Sequence, residues 1–97
     1  MLRASDRAPG LALADDVVLP HDVEIGANVV IHAGTAIGSG VRIQDGAVLG
    51  KPPALGSLSA APREAPPPLV VGDGAIVCAG AVLCAGAAIG AGVVVGD

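Results

Sequence analysis

The stretch Ile25-Gly26-Ala27-Asn28-Val29-Val30-Ile31 sets the pattern by which the rest of the chain is read. An aliphatic residue returns after six positions, and a smaller apolar residue stands four after the first. Outward from here, Leu13, Leu19, Ile25, Ile31, Ile37, Ile43 and Leu49 form one unbroken series, and Val71, Val77, Leu83, Ile89 and Val95 form a second. The smaller partners are Val17, Val23, Val29, Thr35, Val41 and Ala47, then Ala75, Ala81, Ala87 and Val93. A helix keeps a period of about 3.6 residues and a lone strand one of about 2, so a period of six requires a coil of short strands joined by turns.

Strand alternation puts Val29 and Ile31 on one side with Val30 facing out. The pairs Ala27-Asn28, Ser39-Gly40, Asp45-Gly46, Asp73-Gly74 and Ala91-Gly92 follow their aliphatics by two and three residues. Gly, Asn and Asp tolerate positive φ, so each pair marks a corner. Three strands and three corners close a coil in eighteen residues, which stacks Leu13, Ile31 and Leu49 into one interior ladder. Leu19 over Ile37 and Ile25 over Ile43 form two more, with rungs about 4.8 Å apart.

Composition agrees with a narrow interior. The chain of 97 residues has no Phe, Trp or Tyr and fifteen Gly, so Val, Ile, Leu and Ala must fill the core of one small domain. A net charge of -4 gives no electrostatic footprint for nucleic acid or an anionic membrane surface. Gly74 to Gly96 carries no charged side chain and has the length of a membrane span, yet it keeps the six-residue phase and six glycines. We therefore expect no span. Met1 to Gly10 carries Arg3, Asp6 and Arg7 without an apolar core, which argues against a secretory signal and for a cytoplasmic protein.

The two series are separated by an interrupted hexad: Leu49-Gly50, an excursion over about 51–68, then Leu69-Val70, with Leu69 at the small-apolar position. The excursion holds six of the eight prolines. Proline cannot donate to a ladder, and Pro66-Pro67-Pro68 favours polyproline II geometry, so a protruding, semi-stiff loop is expected. We divide the chain into an irregular N-terminal segment, 1–12, and a single β-helix domain, 13–97. Because the last hexad opens at Val95 without a cap, we expect the N-terminal portion of a longer protein.

The runs Ile25 to Ile31, Ile37-Gly38-Ser39-Gly40-Val41 and Val71-Gly72-Asp73-Gly74-Ala75 resemble the bacterial hexapeptide-repeat acyltransferases. The resemblance covers Leu13 to Asp97 and implies an all-β fold, a left-handed parallel β-helix with one protruding loop. It also implies a homotrimer whose clefts between subunits bind an acyl donor. Leu49-Gly50-Lys51-Pro52-Pro53 and the return Pro68-Leu69-Val70-Val71-Gly72-Asp73-Gly74 look most like members that acylate nucleotide-linked amino sugars. The implied reaction is acetyl-CoA-dependent N-acetylation, with acetyl-CoA or another acyl-CoA as co-substrate and no bound cofactor. A chain that supplies only the N-terminal coils is expected to be inactive alone. The alternative is a non-catalytic β-helix scaffold or oligomerisation module.

In this family a His commonly serves as general base. His32 follows inward Ile31 and should sit at the outer edge of a strand, between Ala14 and Gly50, close to where the loop leaves. His21 falls in the Pro20-His21-Asp22 corner. Neither matches a catalytic motif of the family, and the catalytic and cofactor-binding residues stay unassigned. The γ-class carbonic anhydrases share the prism but bind metal through three histidines; two histidines eleven apart do not supply that set, so no metal is expected. Cys78 and Cys84 occupy outer positions on different faces, too far apart for a disulfide and without a neighbouring charge in sequence. Lys51 and Arg63 are the basic residues of the loop; either could meet a phosphate, and Glu64 adjoins Arg63.

Overall fold

The computed structural model describes residues 1–52 and 66–96. They form twelve short strands and, among the described residues, no helix. The architecture is an all-β parallel β-helix of hexapeptide repeats, with three sheets as the faces of a prism. The first face stacks β1 (Leu2–Ser5), β2 (Leu11–Ala14), β4 (Val30–Ile31), β7 (Val48–Lys51) and β10 (Val82–Cys84) in that order. The second holds β5 (Ala36–Ile37), β8 (Val70–Val71) and β11 (Ala88–Ile89). The third holds β3 (Glu24–Ile25), β6 (Arg42–Ile43), β9 (Ile76–Val77) and β12 (Val94–Val95).

The registers follow the six-residue phase. Leu13 pairs with Ile31, Ile31 with Leu49 and Leu49 with Leu83. Ile25, Ile43, Val77 and Val95 form the corresponding ladder on the third face. Most of these aliphatics and their smaller partners make the core: Val29, Val41, Ala47 and Ala75 have no exposed surface, whereas Leu13, Ile25, Ile89 and Val95 are partly buried against it and Val93 is exposed. Every predicted corner is a turn, with positive φ at Gly40, Gly46, Gly74 and Gly92 and at Asn28. Gly74 to Gly96 forms strands and turns, and among the described residues no helix is long and apolar enough to cross a membrane.

Corner carboxylates fix one coil to its neighbour. The Asp45 Oδ1 accepts the Ala27 N–H at 2.7 Å, Asp73 Oδ1 accepts that of Ser39 at 2.9 Å, and Asp16 Oδ2 accepts that of Gly34 at 3.0 Å. Three of the nine acidic residues are thereby committed to architecture.

Two expectations need correction. Leu19 does not form a strand rung over Ile37; residues 17–20 are irregular, although Leu19 packs against the core. The reason is Pro20. In the equivalent places Gly26 N donates to Ile43 O and Gly38 N to Val71 O, so the donor required for Ile37 O is the N–H that proline lacks. The first twelve residues, expected to be irregular, contain β1 and the start of β2, paired antiparallel with Leu2 opposite Ala14 and Ser5 opposite Leu11. This hairpin rests on backbone pairing, which leaves no trace in a six-residue period.

The interruption behaves as the phase requires. Leu69 is fully buried, its carbonyl accepts Ala36 N–H at 2.9 Å, and Val71 pairs with Ile37. The excursion itself lies largely outside the described residues.

Candidate functional site

The loop leaves the prism at a β-bulge. Leu83 pairs with Leu49 but Cys84 pairs with Lys51, so Gly50 is the extra residue on its strand. Gly50 has φ 75°, and a Cβ there would clash with Thr35 Oγ1. Only glycine fits beneath Thr35 in that conformation. The Thr35 hydroxyl is itself fixed, donating to His32 O at 2.8 Å. The exit of the loop, the buried Thr35 and the backbone of His32 therefore form one locked unit.

The returning end of the loop rests on neighbouring corners. A Cβ on Gly34 would meet Pro68 Cβ at 3.2 Å, and one on Gly86 would meet Pro66 Cβ at 3.5 Å. Between them opens a groove of about 440 Å³ bounded by Asp16, His32, Gly50, Pro52, Pro66 and Pro68. A second groove, about 400 Å³, runs over the outer surface of the first face, with Val30, Val48 and Val82 as its floor and Lys51 and Pro52 beside them. His32 borders both. A larger groove of about 760 Å³ lies beside β1; of its charged walls, Arg3 and Asp15 are paired with each other at 2.8 Å, and Asp6 is the third.

His32 stands where the periodicity put it. Its N–H donates to Leu49 O at 2.9 Å, it is half-buried, and a Cβ on Gly50 would lie 3.5 Å from its own Cβ. Asp16, the carboxylate lining the same groove, spends Oδ2 on Gly34 N–H. His21 is exposed in its corner, away from both grooves. Cys78 and Cys84 are free thiols on different faces. Arg63 and Glu64 lie outside the described residues.

One juxtaposition escaped the sequence. Cys84 has no charged sequence neighbour, but the bulge sets Lys51 directly opposite it in the parallel pair. The hexad phase alone pairs Cys84 with Gly50, so the shift by one residue could be found only by anticipating a bulge where the loop departs.

Among the charged corner residues, Asp22 shows a displaced equilibrium. The Ser39 hydroxyl donates to its carboxylate at 2.5 Å and Gly40 adds a backbone N–H; together they hold its pKa below the ordinary carboxylate value. This corner also lies away from the grooves.

A prism of hexads, a loop inserted at one corner and a histidine at its root are the features by which comparison with known proteins can be judged. Residues 16–51 match the bacterial transferase hexapeptide family (six repeats). The hexapeptide match ends at Lys51, where the loop departs, and so includes Asp16, His32, Thr35 and Gly50. No curated protein and no solved structure gives a match to the chain.

Proposed function

We propose that the protein is an acyltransferase subunit that uses an acyl-CoA, in the first instance acetyl-CoA, to N-acetylate a nucleotide-linked amino sugar. The observation carrying this reading is the bacterial transferase hexapeptide match over residues 16–51, which contains the only histidine bordering both grooves among the described residues. In the proposed reaction the acceptor amine attacks the thioester carbonyl, the C–N bond forms, and the C–S bond breaks to release the CoA thiolate. The proton leaving the nitrogen goes to His32 Nδ1 or Nε2 and from there to the thiolate. To Lys51, which lines the apolar groove, we assign a phosphate of donor or acceptor.

A homotrimer belongs to the same proposal. The outer side of the first face presents Ala12, Val30, Val48 and Val82 in register, whereas the third face carries the exposed Glu24–Arg42 ion pair. We assign the apolar side to contact between subunits, in a cytoplasmic setting where the two thiols stay reduced.

The test is release of free CoA from acetyl-CoA by the full-length protein in the presence of a panel of nucleotide-linked amino sugars. Turnover with one of them, lowered at least roughly 100-fold by His32→Ala with binding retained, is the expected result. Absence of turnover with every acceptor would overturn the proposal. A scaffold reading draws support from one observation, that the carboxylate lining the His32 groove is already committed to Gly34 N–H and does not orient the imidazole. Undiminished turnover in His32→Ala would remove the histidine from the chemistry while leaving the transferase reading intact.

A further inference from the structure

We propose that residues 1–7 are an edge guard: they occupy the open edge of the first coil and prevent a second copy of this chain from pairing there. The argument starts from the direction of the polar groups of β2. Ala12 N donates to Val29 O, on the β4 side. Alternation along the strand then turns the N–H and C=O of Leu13 and the C=O of Leu11 the other way, toward Arg3 and Ser5, their partners in the antiparallel register, while the Leu11 N–H donates to Ala8 O at 3.3 Å. Without β1 those groups are a free template flanked by apolar side chains, which is the arrangement that recruits another strand.

The same short segment also covers the next side of the coil. Residues 17–20 have no strand partner, and the Arg7 guanidinium donates to Pro20 O at 2.6 Å and Leu19 O at 3.5 Å. Arg7 is held for this task, since its backbone N–H donates to Ser5 Oγ at 3.2 Å. Arg3 is tied to Asp15 at 2.8 Å, across the turn that follows β2. Directly after the segment, Ala8 is buried beside Leu11 at the end of the core. Every other strand pair among the described residues is parallel; β1 reverses the chain and thereby ends the stack.

The occupant excluded is the β2 edge of a second copy. Two such edges related by a two-fold axis pair antiparallel, the orientation β1 already uses, and each brings Leu11 and Leu13 to the other. Specific charge is not needed, so the contact becomes available as soon as the guard is lifted.

Sedimentation velocity over a concentration series compares three proteins with the intact chain: one lacking residues 1–7, Arg3→Pro and Arg7→Ala. Arg3→Pro keeps the chain length but removes the N–H facing Leu13. The truncated and Arg3→Pro proteins should sediment as species roughly twofold larger or more than the intact chain, and the peptide Met1–Arg7 added in excess should return the truncated protein to its original size. Arg7→Ala, which keeps β1, should show the smallest increase. Hydrogen exchange gives an independent readout, with the Leu13 amide protected in the intact chain, still protected in the larger species, and open when the variants are diluted. A folded Arg3→Pro protein of unchanged size with an open Leu13 amide would overturn the proposal. So would loss of the β-sheet spectrum in both the truncated and Arg3→Pro proteins, because the segment would then be part of the core fold and not a guard on it.

Discussion

Gly72→Ala tests the stacking of the coils where an added methyl would come closest to the backbone of the next coil. Gly72 does not need a positive φ; it follows Val71 on the second face, and its N–H donates to Ile89 O at 2.7 Å. A Cβ there would lie 2.6 Å from Ala91 N, 2.7 Å from Gly90 C and 2.9 Å from Ile89 O, all backbone atoms of the next coil. Reaching ordinary contact near 3.4 Å requires the coils to part by about 0.8 Å, which also breaks the Gly72–Ile89 hydrogen bond. Overpacking costs about 1–3 kcal/mol and a lost hydrogen bond about 0.5–1.5, so we expect a loss of about 2–4 kcal/mol. Gly40→Ala is the control: φ is 69° there, but nothing lies within 4 Å of the added methyl. Its cost is the left-handed backbone penalty, about 1–2 kcal/mol, less the entropy removed from the unfolded chain, about 0.4–1. The entropy change is common to the two variants, so the mid-range difference is about 1.5 kcal/mol, and at about 4–8 °C per kcal/mol for a domain of this size, thermal melts at matched protein concentration should place Gly72→Ala about 6–12 °C below Gly40→Ala. Equal melting temperatures, or the reverse order, would refute the account of these glycines as sites of backbone contact.

The remaining predictions concern the return of the loop, its exit and one corner. Leu69→Ala should cost about 2–5 kcal/mol in chemical denaturation, because a fully buried side chain is truncated where the phase resumes. Gly50→Ala should destabilise more than Gly46→Ala, whose nearest neighbour is a backbone nitrogen at 3.9 Å, and Thr35→Ala should recover part of that loss in the double variant, since the clash is with Thr35 Oγ1. For Asp22, the folded pKa lies below the unfolded value, so its contribution to stability is present above the ordinary carboxylate range and disappears as pH falls through the folded value. Ser39→Ala should raise the Asp22 pKa in a carboxylate NMR titration, and an unmoved titration would mean that the Ser39 hydroxyl is not the donor responsible.

The interior of this protein was legible from its sequence because a coil of fixed length imposes one rule on every turn. Leu69 illustrates how strong that rule is: after an excursion, phase alone assigns it to an interior position, and it is fully buried there. Pro20 shows where the rule yields, since an apolar residue in phase cannot build a rung when the following residue lacks the N–H that the neighbouring coil requires. In the sequence Arg3 and Arg7 are only charges that argue against a signal segment, yet both hold the first coil, through Asp15 and through the Leu19 and Pro20 carbonyls. Those contacts join residues twelve and thirteen positions apart in ways no period encodes.

The candidate site divides along the same line. His32 could be placed at a strand edge beside Gly50 because both obey the hexad register. The pairing of Lys51 with Cys84 could not, because it depends on one extra residue in the ladder. That extra residue is also what lets the chain leave the prism: Gly50 turns with positive φ under Thr35, while Thr35 holds the carbonyl of His32. The loop exit and the proposed base are therefore coupled through a single buried hydroxyl. Thr35→Val, which keeps the shape and removes that hydroxyl, should lower transferase turnover more than it lowers stability. An equal fall in both would reduce Thr35 to a packing residue, whereas an effect on turnover alone would place the geometry of His32 under the control of the same contact that directs the loop outward.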